Sequence, residues 1–192
     1  MYIKKEGSSG ISMIPIDSQL FAERKLFING VIDDAMADEF MKMRLILAGD
    51  SGKEPIKIYI NSPGGEVQAG FSIYDVIKSY GSNCTTICYG TAASMAALLF
   101  AAAPWGQRII LPHAKVLIHE PYLRGGPGGS AADIQTTAEQ VLEDRRRYIG
   151  MLANDTGKKL QEIETAMSHE HFMNADEAVA FKICDRVASS IE

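Results

Sequence analysis

From Cys84 to Ala103 the chain runs through twenty residues without a charge, CTTICYGTAASMAALLFAAA. Residues 84–89 read as a short buried strand, and the stretch after Ser94 reads as an apolar, Ala-rich helix. Both must be covered by other elements, so these residues demand a layered interior. The apolar run at 92–103 is too short and too rich in Ala to span a bilayer, and no membrane contact is expected. Further strands are predicted at 25–29, 56–60, 108–111 and 115–119 from alternation or short apolar runs. Helical stripes fall between them. Met36, Phe40, Met43 and Leu47 follow the capping candidates Asp33 and Asp34, and Phe71, Tyr74 and Ile77 follow Gly64-Gly65. Strands alternating with helices predict an α/β fold.

A chain of 192 residues suits one domain, 1–192, with a core of its own. No repeat or linker divides it. Residues 1–15 form an N-terminal segment, polar and Gly/Ser-rich in its first ten residues, without the apolar core of a signal peptide. Disorder is the default expectation for 1–12, and a cytoplasmic location for the protein. After Pro121 the character changes. Arg124-Gly125-Gly126-Pro127-Gly128-Gly129 is a turn-rich segment that suits neither helix nor central strand. A long helical pattern follows at 131–154, then a helix at 159–167. Asn174 with Glu177 resembles a capping box opening another helix, and a strand at 183–188 closes the chain.

The net charge of −5 argues against a nucleic-acid surface. Arg145-Arg146-Arg147, with Glu139, Glu143 and Asp144 beside it, reads as a solvated or ion-paired helix face. Cys84, Cys88 and Cys184 lack metal-ligand spacing and leave an odd thiol. Buried thiols in a reducing compartment are expected, and no metal.

The chemistry concentrates in Gly90-Thr91-Ala92-Ala93-Ser94-Met95-Ala96-Ala97. A Ser between a strand and a helix presents its Oγ beside unpaired helix N–H groups, which favour developing negative charge. Small neighbours let a substrate backbone approach. Asn61-Ser62-Pro63-Gly64-Gly65 supplies an amide-rich turn, and Leu117-Ile118-His119-Glu120-Pro121 supplies an imidazole at a predicted strand end. Nucleophile, base and amide-rich turn are the parts of acyl-transfer catalysis. A Ser among Ala residues also permits close helix packing, and a lone His also serves as a partly buried core residue; the three segments together favour the catalytic reading. His113 follows Pro112 in a turn and reads as structural, and Ser62 as a turn residue.

INSPGGE, GTAASMAA and LIHEP, in this order and within a resemblance that runs over residues 16–187, resemble the proteolytic subunit of the Clp protease, a serine peptidase. The resemblance implies a crotonase-like spiral of β-β-α units with a handle helix projecting from about 122–155. It implies Ser94 as nucleophile, His119 as base, and the Gly65 and Met95 N–H groups as oxyanion donors. It further implies heptameric rings, two stacked around a chamber, fed with unfolded proteins by an AAA+ unfoldase. The chain has no GxxxxGK[ST] loop, so no cofactor is expected here and ATP belongs to the partner.

The sequence departs from the family at three places. Alignment of Phe172-Met173-Asn174-Ala175 puts Glu170 where the family has its catalytic Asp, with Asp176 and Asp185 as substitutes and an exposed loop carboxylate as the plain alternative. Ser168 and His169 replace an acidic-Arg pair that links the rings, so ring pairing is expected to depend on the pH at which His169 is charged. Glu66 follows Gly65 where a small or apolar residue is usual, and is read as a solvent-facing helix-start residue. These departures leave two competing readings beside an active peptidase: an attenuated ring subunit needing a paralogue, and an acyl-CoA enzyme of the wider superfamily.

Overall fold

The computed structural model describes residues 1–7, 10–49, 54–122, 125–126 and 128–190. Its main sheet has seven strands: β3 (Lys25–Asn29), β4 (Ile56–Ser62), β5 (Cys84–Ala93), β6 (Arg108–Ile110), β7 (Lys115–Ile118), β8 (His171–Met173) and β9 (Arg186–Val187). The path β3-β4-β5-β6-β9 is parallel throughout. β5 is long enough to take two successive partners, β6 at Thr86–Cys88 and β7 at Thr91–Ala93. Only β8 runs antiparallel in this sheet, against β7.

Parallel strands covered on both faces carry near-continuous apolar runs rather than alternation. β4 and the first half of β5 do so, with Ile56, Ile58, Ile60, Cys84, Ile87 and Cys88 buried. The apolar stretch after Ser94 forms α4 (Met95–Ala101), all seven residues buried. Its last turn leaves carbonyls unpaired within the helix. Thr86 Oγ1 donates to one of them, Phe100 O, at 2.7 Å. α2 (Asp34–Gly49) buries Phe40 and Leu47 of the expected stripe, and Asp33 Oδ1 accepts from Met36 N at 2.9 Å as its cap. α3 (Val67–Ser79) buries Ile73, Tyr74 and Ile77.

α5 (Ala131–Thr156) begins at a capping box made by Ser130 and Asp133. Over 131–140 nearly every residue is exposed, whereas Tyr148, Ile149 and Leu152 are buried. The first part of this helix is thus little covered by the other described residues, and its last turns are packed. α6 (Leu160–Met167) and α7 (Ala175–Phe181) follow, the latter opened by the Asn174–Glu177 capping box.

Two expectations are corrected. The described part of 1–12 is not a structureless tail: β1 (Tyr2–Gly7) pairs antiparallel with β2 (Gly10–Pro15), and α1 (Ile16–Ala22) follows directly. Gly and Ser content alone does not reveal cross-strand pairing. The closing strand is only Arg186–Val187, because the chain bends before it at Asp185, which binds Arg108. Of the turn-rich segment, Arg124 and Pro127 lie outside the described residues, while Gly125, Gly126 and Gly129 adopt positive φ.

Candidate active site

Three parallel strands end together. β5 ends at Ala93 and is followed by Ser94; β7 ends at Ile118 and is followed by His119; β4 ends at Ser62 and is followed by the Pro63-Gly64-Gly65 turn. β4 and β7 are both hydrogen-bonded to β5. Their carboxyl ends therefore open on one edge, where open α/β sheets carry their sites.

Ser94 has φ 55° and ψ −123°, a sparsely populated conformation for a residue with a Cβ. It makes the sharp strand-to-helix turn that exposes a nucleophile. Four bonds hold that turn. Ser94 N donates to Leu117 O at 2.8 Å, and Ser94 O accepts from Ala97 N at 2.9 Å, Leu98 N at 3.4 Å and the Tyr148 hydroxyl at 3.0 Å. Tyr148 is fully buried, and burial pushes its phenol pKa up, so the hydroxyl remains a donor.

Gly64 (φ +89°) is pressed against Ser94. Ile32 brackets the turn: its N–H donates to Gly64 O at 3.0 Å, and its carbonyl accepts from Glu66 N at 2.9 Å. Between these bonds the exposed Gly65 keeps its N–H free of main-chain acceptors among the described residues, as does Met95 at the first position of α4. Both can donate to an oxyanion. The sequence offered no sign of Ile32, whose role is entirely main-chain. Ser62 Oγ accepts from Gly64 N at 3.1 Å, the turn role expected of it.

His119 is half-buried, with Nδ1 2.6 Å from the carbonyl of Glu120 and its ring 5.6 Å from that of Tyr122. A carbonyl only accepts, so Nδ1 carries a proton, and in the neutral ring Nε2 holds the lone pair. That is the tautomer a general base for Ser94 requires. Glu120 is fixed in turn: its carboxylate pairs with Arg145 at 2.7 Å, and Arg145 also reaches Glu164 at 3.3 Å. Hydrogen bonding to Glu120, then to Glu164, raises the Arg145 pKa. Arg145 is thus ion-paired, one of the two alternatives its sequence context offered. Its partners lie on other elements, while Arg146 and Arg147 share Glu143.

Glu170 is exposed and immediately precedes β8. The antiparallel register Val116↔Met173, Leu117↔Phe172, Ile118↔His171 ends one residue short of both His119 and Glu170. No hydrogen bond among the described residues joins Ser94 Oγ to His119 or His119 to Glu170. Glu170 instead lines a groove of about 900 Å3 with Thr165, His169, His171 and Phe181.

The other carboxylates are placed elsewhere. Asp185 is held by Arg108, Oδ1 to Nη2 at 2.5 Å and Oδ2 to Nε at 3.0 Å. Burial pushes its pKa up, but the Arg108 bonds outweigh this and hold it below the usual carboxylate range. Asp176 is an exposed first-turn residue of α7, as its sequence context suggested. Glu66 is exposed at the start of α3, and His113 lies exposed in a turn. His169 is exposed with Nδ1 3.0 Å from Ser168 Oγ. Among the described residues no group of His, Cys, Asp and Glu could hold a metal ion, and no helix is long and apolar enough to cross a membrane.

A serine on a strained strand-to-helix turn, two free amides and an imidazole at the same sheet edge define machinery suited to acyl transfer through a serine. Residues 8–190, nearly the whole chain, match the Clp protease family. The protein belongs to that family, and hence to a group of serine peptidases.

Proposed function

We propose that this chain is a Clp-type serine endopeptidase subunit in which Ser94, His119 and Glu170 act as the triad. The observation that carries the reading is the meeting of the β4, β5 and β7 carboxyl ends, which brings Gly65, Ser94, Met95 and His119 to one edge. In the reaction Ser94 Oγ attacks the peptide carbonyl while His119 Nε2 takes its proton. The Gly65 and Met95 N–H groups donate to the oxyanion, each worth on the order of 10²–10³ in rate. His119 returns the proton to the leaving amine, then activates the water that hydrolyses the acyl-enzyme. Glu170, one residue before β8 as His119 is one residue after its partner β7, supplies the carboxylate that stabilises the imidazolium.

On this reading the chain folds as a crotonase-like spiral, and the exposed first part of α5 is the handle between two heptameric rings. A cytoplasmic AAA+ unfoldase supplies unfolded chains and spends the ATP, and the subunit itself uses no cofactor. A second reading, an attenuated ring subunit needing a paralogue, draws on the His119 Nδ1 bond to a carbonyl rather than a carboxylate. Labelling with a fluorophosphonate, followed by intact mass, tests the peptidase. One label per chain, lost in Ser94→Ala, is the expected result. A folded protein that takes no label rejects the active peptidase in favour of the attenuated subunit.

A further inference from the structure

α5 touches Ser94 and the residue that follows His119. Tyr148 donates to the main chain of Ser94 at 3.0 Å. Arg145, three residues earlier, binds the carboxylate of Glu120 through Nε at 2.8 Å and Nη2 at 2.7 Å. Residues three apart share a face of a helix, so one turn of α5 grips both segments. The grip on Glu120 bears on the base directly, because the carbonyl of that same residue takes His119 Nδ1 at 2.6 Å. Glu164 of α6 holds the guanidinium from the other side at 3.3 Å. Arg145 is only 26% exposed, which limits the screening and freedom that weaken surface pairs.

We infer that Arg145 is a positioning residue for His119, acting through Glu120, and that with Tyr148 it sets the distance between base and nucleophile. The inference rests on the proposed roles of Ser94 and His119. A free Glu120 lets its carbonyl swing away from Nδ1, so the imidazole loses its tautomer and its aim. Misplacement of a catalytic group by about 1 Å can cost about 10²-fold. On this inference Arg145, held by Glu120 and Glu164, acts through Glu120 rather than on the substrate, so the loss falls on the chemical step.

The test is the time course of fluorophosphonate labelling on the full chain, which separates the rate constant from the final labelled fraction. Arg145→Ala is expected to reach the wild-type fraction with a rate constant lower by about 10- to 100-fold. Arg145→Lys, which keeps the charge, recovers part of it, and Arg147→Ala matches wild type. With short peptides kcat falls by a similar factor while KM holds. Should Arg145→Ala fail to fold, Glu120→Gln removes the same ion pair with little change of shape and is expected to slow labelling. A wild-type rate constant, or a loss confined to the labelled fraction, overturns the positioning role. A wild-type protein that takes no label overturns the proposed triad as well.

Discussion

Gly64 and Ser94 are in van der Waals contact across two strand ends, and the contact leaves no room for a methyl group. A Cβ built on Gly64 would meet Ser94 Cβ at 2.8 Å, Ala93 O at 2.7 Å and Met95 N at 3.1 Å. The φ of +89° independently disfavours any L side chain there. The amide turn and the nucleophile are thus fitted to one another as two pieces of main chain.

Gly64→Ala is therefore expected to cost about 2–4 kcal/mol of stability, combining backbone strain with overpacking. It also shifts the Gly65 amide relative to Ser94, so the labelling rate falls among the molecules that remain folded. Urea titration and labelling kinetics on the same sample check both. An unchanged rate in a destabilised protein would show that Gly64 serves folding alone.

Ser94 pays a conformational penalty for its place in the turn. A residue with a Cβ at φ 55°, ψ −123° stores about 1–3 kcal/mol, and glycine would return some of that while losing about 0.5–1 kcal/mol in chain entropy. Ser94→Gly is expected to be inactive and more stable, by about 1 kcal/mol. For a chain of this size that raises Tm by about 2–4 °C. A lower Tm than wild type would mean that the turn is not strained.

Of the three acidic candidates, Glu170 and Asp185 separate cleanly. Glu170→Gln keeps the shape and removes the charge of the proposed triad acid, so labelling is expected to slow by about 10²-fold or more with stability unchanged. Asp185→Asn leaves Arg108, 1% exposed, with a neutral partner in place of its carboxylate. Breaking a buried pair typically costs about 3–5 kcal/mol, and the labelling rate per folded molecule should stay at the wild-type value. The pKa of Asp185 lies below its unfolded value, so its stabilisation is present above the unfolded pKa, near 3.8, and is lost as pH falls through the folded one. Acid unfolding at higher pH in the Asn variant than in wild type, with fast labelling at pH 7, is the expected pair of results.

Much of this was legible in the chain. β3 begins and ends where its alternation predicted, and α5, α6 and the Asn174 cap follow from helical period and capping chemistry. β5 runs on past Tyr89 to Ala93, since Gly90 and Thr91 carry no apolar signal yet continue the ladder. Ser94, His119 and the Gly-Gly turn were recognisable because their chemistry is local. Arg145, Glu120 and Tyr148 were not, because their meaning depends on contacts across 25 and 54 residues of chain. β8 is three residues long, and only its pairing with β7 distinguishes it from a loop.

The three cysteines give a test at alkaline pH. Cys84, Cys88 and Cys184 are 1%, 0% and 2% exposed, and burial pushes each thiol up to about 12, from 9.0. Between those values the unfolded chain has released protons that the folded chain retains. Stability from these groups is therefore complete below pH 9 and declines as pH rises toward 12, by on the order of 1.4 kcal/mol per pH unit for each thiol. Urea midpoints should fall steadily from pH 9 to pH 10.5. At pH 8 a disulfide reagent should react with no thiol of the folded protein and with three after unfolding. Rapid reaction in the folded state would place at least one cysteine at an accessible surface and remove the basis for the alkaline decline.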